Sequence, residues 1–409
     1  MIQPSAGLAA TSLALCAVAV TMAAGPPDRI ELTNTAWRVT IWPQTLRIVG
    51  AETGREPVEL SAGQSDLGPV SQLARSSDWA SWSLRDEHIA IAVRLDANDL
   101  HMRIQSNGEG AFTWPTVRLG GQVKALIWPC AEGAYIPLDE ARWIDYLVSR
   151  GEWDTLASLS MPFWGLDCGQ FLLTYIATCP YNNTIRFVRK AGEVRATFTH
   201  EFTRFQEPKE YGFVISLGEN RSPVLPAQRF RRWLVEHGQF VSMRDKREQI
   251  PKVERLLGAA HVYLWGDGVS LDMLERFHEA GFDRLRLCTD GWEEVETVAL
   301  TEVLYMAVPM YHMHLDEFDK HGAVMKKHYE FFSPLHRELG FARMTDFAWL
   351  SKDRLLQRTT FDDRVELIAN YSTEAGRNEG MTIPGRSVLA RWKQPGVSRL
   401  YTPTAHRQS

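Results

Sequence analysis

Four acidic residues stand where apolar, strand-length runs come to an end. Asp267 sits between two glycines in Trp265-Gly-Asp-Gly, Asp290 stands in Cys-Thr-Asp-Gly-Trp, and Asp316 with Glu317 follows Val-Pro-Met-Tyr-His-Met-His-Leu. Carboxylates delivered to one edge by successive strands suit acid–base and nucleophilic work. A pair about 5–5.5 Å apart, one ionised and one held protonated, is what retaining cleavage of a glycosidic bond requires. Asp290 and Asp316 are the candidate catalytic acids. Gly291 lets the chain turn sharply after Asp290, and Trp292 offers a flat apolar face suited to a sugar ring. Trp265, Asp267, Trp292 and His314 are the candidate substrate contacts. Asp267 between glycines is also a natural turn residue, and Asp290 a natural turn or capping residue.

A rival chemistry lies in the same stretch. His312, His314 and Asp316 form H-x-H-x-D, and on a strand the period of two puts all three on one face, as metal-dependent hydrolases present their first ligands. Glu317 then falls on the opposite face. Other templates fail. Gly266-x-Gly268 lacks the third glycine of a dinucleotide fingerprint, and no G-x-S-x-G nucleophile elbow occurs. Cys130, Cys168, Cys179 and Cys288 show no CxxC spacing; Cys168 and Cys179 read either as a hairpin disulfide or as buried thiols.

The elements that position these residues begin at Ala259. An apolar strand, the amphipathic helix LDMLERFHEAG and a second strand ending at Asp290 make the opening of a β/α barrel, whose catalytic residues sit at C-terminal strand ends. After Trp292 come only a few helical turns, the histidine-bearing strand and a long helix bent or broken before Pro334, so the barrel is expected to be truncated. Upstream, residues 25–222 alternate as short strands (HIAIAVRL, DLHMRIQ, VKALIW, TIRFV) without long helical periodicity, an antiparallel β-sandwich. Residues 223–340 form the truncated β/α-barrel-like segment, opened by a helix at Pro226 whose Arg229, Arg231 and Arg232 read as a solvated face. Residues 341–409 return to strands as a small C-terminal β domain. The fold class is therefore multidomain β plus α/β.

Leu8–Ala24 is uncharged and rich in Leu, Ala and Val, ending in small residues, so residues 1–24 read as a signal peptide. Cleavage near Ala24 leaves a secreted or periplasmic chain with no membrane span; a retained anchor is the alternative. A net charge of −5 gives no electrostatic case for nucleic acid. Asn182-Asn183-Thr184 and Asn370-Tyr371-Ser372 fit the glycosylation pattern.

Several motifs in this order resemble the endo-α-N-acetylgalactosaminidase-like glycoside hydrolases of families 101 and 129. They are GAYIPLDE at 133–140, the FVISLGEN…RFRRWLVEHGQF run, LLGAAHVYLWGDG, VPMYHMHLDEF, and LSKDRLLQRTTFDDRVELIANYS. The resemblance implies retaining hydrolysis of, or binding to, α-linked N-acetylgalactosaminide-type glycans, without a cofactor. In that group the catalytic carboxylates sit on middle barrel strands, which have no match after Trp292, so no nucleophile or acid/base residue carries over. A non-catalytic carbohydrate-binding protein on the same scaffold is the second expectation.

Overall fold

The computed structural model describes residues 28–52, 55–84, 88–131, 133–190, 193–204, 210–218, 222–264, 271–282, 285–289, 296–313, 315–394 and 396–403. The stretch read as a signal peptide lies outside them. The chain divides into two compact units, Met1–Val117 with Thr199–Gly212, and Arg118–Phe198 with Phe213–Ser409.

The first unit is built from antiparallel meanders. Ile30–Thr33, Trp37–Trp42, Arg47–Glu52 and Val58–Ser61 pair in chain order, as do Val70–Arg75, Trp79–Leu84, Ile89–Asp96 and Asp99–Ser106. The alternation decides which face is buried: Ile89, Ile91, Val93 and Leu95 are covered while the residues between them are not. His200 is fully buried here, its Nε2 2.9 Å from the Trp114 carbonyl and its ring stacked on Tyr211.

In the second unit Phe163–Asp167 and Leu172–Ala177 are buried along their whole length, because both faces are covered. On one face Phe163, Ile176 and Val214 meet Phe230 and Trp233 of the helix Leu225–Glu236. On the other, Trp164, Tyr175, Phe198 and Phe213 pack as an aromatic cluster with ring centres 5.0–6.0 Å apart. Gly165 is required by this closeness, since a Cβ there would lie 2.6 Å from Pro226 Cγ. Arg231 and Arg232 of the helix are exposed, as their reading as a solvated face expects, whereas Arg229 is half-buried. A short helix, Ala141–Ser149, interrupts the stretch read as strands only; it offers just Ile144 and Leu147 to the core, too few apolar positions to betray a helical period.

The C-terminal sheet runs Met344–Trp349, Leu356–Phe361, Val365–Asn370, Ser387–Trp392, Ser398–Tyr401, all antiparallel. Val365, Leu367 and Ala369 pack on the helices Glu296–Tyr305 and Leu315–Leu339. Glu366 points to the other face, 5% exposed, with Arg358, Arg391 and Lys393 at 3.5–3.6 Å. Removing it takes away the buried carboxylate these cations share, although Arg358 keeps Asp346 and Glu379 and Arg391 keeps Glu379. Because those cations are partly solvated, Glu366→Ala is expected to cost about 2–3 kcal/mol and lower the thermal midpoint by roughly 5–10 °C. An unchanged melting curve would refute this.

The long helix Leu315–Leu339 runs through Pro334 as one element, so of the bend or break expected there the break does not occur. Its proline-bearing turn is held from the side: Ser333 Oγ donates to the Gly258 carbonyl at 2.7 Å, and His336 Nδ1 accepts from the Gly258 N–H at 2.9 Å. Cys130, Cys168 and Cys179 are free thiols, which decides against the hairpin disulfide, and burial beside Asp167 pushes the Cys168 thiol up to about 12. Asn370 is buried, with its Nδ2 donating to the carbonyls of Glu374, Ile383 and Pro384, so this glycosylation pattern is spent on structure. Asn182 is exposed. No described helix is long and apolar enough to cross a membrane.

Candidate functional site

Three parallel strands form a small sheet in the stretch that holds the residues singled out by the sequence. Ala260–Leu264 is central, with Leu285–Thr289 on one side and Met310–Met313 on the other. The register aligns Thr289, Leu264 and Met313, so the three strands finish level at one edge. Helices cover one face. Ala260, Val262 and Tyr311 pack against Phe277 of the helix Leu271–Glu279 and against Phe318, Met325 and Tyr329 of the long helix. Glu296–Tyr305, the connection between the second and third strands, packs on the C-terminal sheet instead. Behind the third strand, the Tyr311 hydroxyl lies 3.0 Å from Nδ1 of the buried His328, and burial pushes that imidazole down to about 4, although Glu302 Oε2 is 3.7 Å away.

Of the candidate residues, Trp265, Asp267, Asp290, Trp292 and His314 lie outside the described residues. His312 lies on the third strand, paired with Tyr263. The reading of His312, His314 and Asp316 as same-face positions of one strand is corrected by the backbone. The strand ends at Met313, and Asp316 and Glu317 fall in the first turn of the long helix. The helical period wins because Phe318, Met325, Tyr329, Phe332 and Leu339 recur at helical spacing, and acids in a first turn suit the helix dipole. Among the described residues no three His, Cys, Asp or Glu side chains gather to hold a metal ion.

A second feature was not singled out by the sequence. A cavity of about 420 Å³ opens in the second unit, lined by Tyr135, Tyr305, Phe347, Trp349, Arg354 and Gln357 among others. Tyr135 and Trp349 meet edge-on at 4.5 Å, Trp349 meets Phe347 at 5.1 Å, and the Arg354 guanidinium lies 5.1 Å over Tyr135 and 5.4 Å over Trp349. Tyr135 is steered by its hydroxyl, which donates to Asp167 Oδ2 at 2.8 Å. Tyr135 comes from GAYIPLDE and Arg354 from LSKDRLLQ, two motifs more than two hundred residues apart in the chain.

Against known proteins, the model of the glycosyl hydrolases related to the GH101 family, GH129, matches residues 280–360. This chain resembles the GH129 glycosyl hydrolases. The GH129 match begins just after the helix Leu271–Glu279 and runs through the third parallel strand and the long helix into the second strand of the C-terminal sheet. Among solved structures, the alpha-N-acetylgalactosaminidase NagBb from Bifidobacterium bifidum is similar in its complexes with GalNAc and with Gal-NHAc-DNJ. Each has a TM-score of 0.50 and 14% identity, covering 64% of this chain and 51% of that one. At that identity the likeness is one of fold, and this chain spans about half the length of that enzyme. No curated protein matches the sequence.

Proposed function

We propose that this chain is an exported glycoside hydrolase of the GH129 type that acts on α-linked N-acetylgalactosaminide-type glycans with retention. Asp290 and Asp316 supply the carboxyl groups, and Trp265, Asp267, Trp292 and His314 contact the sugar. The observation that carries the reading is the strand order. In a closed barrel the last strand pairs with the first, so a sheet holding the first, second and last strands has the first in the middle. Among the described residues the helices that pack on this sheet do so on the face of Ala260, Val262 and Tyr311, as around a barrel, whereas a doubly wound sheet carries helices on both faces. The strands that precede Asp290 and Asp316 in the chain end level with Leu264, at Thr289 and Met313, which supports this assignment.

One observation favours a second reading. Three parallel strands are described where a complete barrel has eight. A protein that grips glycans on this scaffold without cleaving them fits that count.

Hydrolysis of 4-nitrophenyl α-N-acetylgalactosaminide separates the two. The enzyme reading expects turnover that Asp290→Asn and Asp316→Asn each reduce on the order of a thousandfold, with folding unchanged. Saturable binding of N-acetylgalactosamine without turnover supports the binding protein. Activity lost to a chelator and restored by zinc would instead support metal chemistry at His312 and His314.

A further inference from the structure

We propose that the Tyr135–Trp349–Arg354 cleft is a binding site for a sugar carboxylate, separate from the site at the parallel-strand ends and standing whether or not that site is catalytic. Its size, about 420 Å³, falls within the range of about 300–1,000 Å³ that small ligands occupy. Its walls are chiefly aromatic and apolar, which suits the flat faces of a pyranose ring. Among the described residues Arg354 is the one charged residue lining it.

The guanidinium is set up for an anion. Its Cζ lies in cation–π range of both Tyr135 and Trp349, contacts that use none of its N–H groups as hydrogen-bond donors, and a guanidinium fork is how Arg recognises planar anions. Among the described residues Arg354 forms no ion pair. The adjacent acid, Asp353, is engaged elsewhere, accepting from the Ser351 hydroxyl and, at 3.1 Å, from the Leu355 N–H. The backbone holds Arg354 in the left-handed region at φ +63°, a conformation that costs a non-glycine residue energy. It is kept there by its N–H donating to Ser351 O at 3.1 Å and by Gln357 Nε2 donating to its carbonyl at 2.9 Å.

The cleft also lies near the N-terminal start of the third parallel strand. Tyr305 ends the helix from which the chain enters the third strand at Met310, and Met344 follows the end of the long helix. Tyr305 thus marks the side on which the third strand begins, and in barrel folds chemistry sits at the opposite, C-terminal strand ends.

Two classes of sugar carry the carboxylate, sialic acids and uronic acids, and the experiment distinguishes them. The whole chain is titrated with methyl α-sialoside, methyl β-glucuronide and neutral methyl β-galactoside, reading tryptophan fluorescence and heat. At least one acidic sugar is expected to bind ten-fold or more tightly than the galactoside, and the preferred one names the class. Arg354→Gln, at an exposed position, should erase that preference and leave the melting curve unchanged. Arg354→Lys should restore part of it, and Trp349→Ala should weaken every sugar. Equal binding of acidic and neutral sugars, a preference that survives Arg354→Gln, or no saturable binding of any of the three would each overturn the proposal.

Discussion

Acidifying the protein from pH 7.5 to 5 is expected to remove about 4 kcal/mol of stability, before most carboxylates have begun to titrate. His200 and His328 are both wholly buried, and burial holds their folded pKa values at about 3 and about 4, against an ordinary 6.5. For His200 the hydrogen bond to the Trp114 carbonyl pulls the other way and loses. The sign follows from proton counting. Below about pH 6.5 the unfolded chain binds protons at both positions and the native chain does not, so stability falls with pH. Their contribution is complete above pH 6.5 and is lost as pH falls toward the folded values. At pH 5 each imidazole has cost about 1.5 units, or about 2 kcal/mol. With a total stability of roughly 5–15 kcal/mol, that brings the fold close to its limit. Denaturant unfolding at pH 7.5, 6 and 5 reads the loss directly, and His328→Gln should reduce the slope by about one proton. A midpoint unchanged between pH 7.5 and 5, or ring signals of both histidines titrating near 6.5, would refute the account.

Much of the scaffold was legible because burial writes itself into local spacing. DLHMRIQ alternates strictly and HIAIAVRL alternates large with small side chains, and they form the paired strands Ile89–Asp96 and Asp99–Ser106. The strand–helix–strand after Ala259 was legible for the same reason, and the strand pairing adds that the third strand returns to the far side of the first. Pairing order is a long-range property that no window of sequence contains. The H-x-H-x-D reading failed at a boundary. Period two holds through Met313, then Phe318 and the residues after it switch the chain to a helical period, and Asp316 falls on the helical side of the switch. The aromatic cleft was illegible because Tyr135 and Trp349 are each unremarkable within their own motif. Only the fold brings their rings to 4.5 Å and lays Arg354 across both.

The second large effect is expected at Gly258, which controls how the chain enters the central parallel strand. Gly258 adopts φ +70° immediately before that strand, and its N–H and carbonyl are both held by the long helix, through His336 Nδ1 and Ser333 Oγ. A Cβ at this position would lie 2.6 Å from Ser333 Oγ and 2.7 Å from the Ser333 carbonyl oxygen. The hydroxyl can rotate away at the cost of its hydrogen bond, but the carbonyl belongs to the helix backbone and has nowhere to go. Gly258→Ala therefore combines left-handed strain of about 1 kcal/mol with a backbone clash and two weakened buried hydrogen bonds, about 3 kcal/mol or more in all. Gly121 is the matched control. Its φ is +62°, and an added Cβ meets nothing within 4 Å, so Gly121→Ala should show the strain alone. Thermal midpoints should fall by roughly 2–4 °C for Gly121→Ala and about three times as far for Gly258→Ala. Equal losses at the two positions would mean that the helix yields at Ser333, and that the central strand is not anchored where these contacts place it.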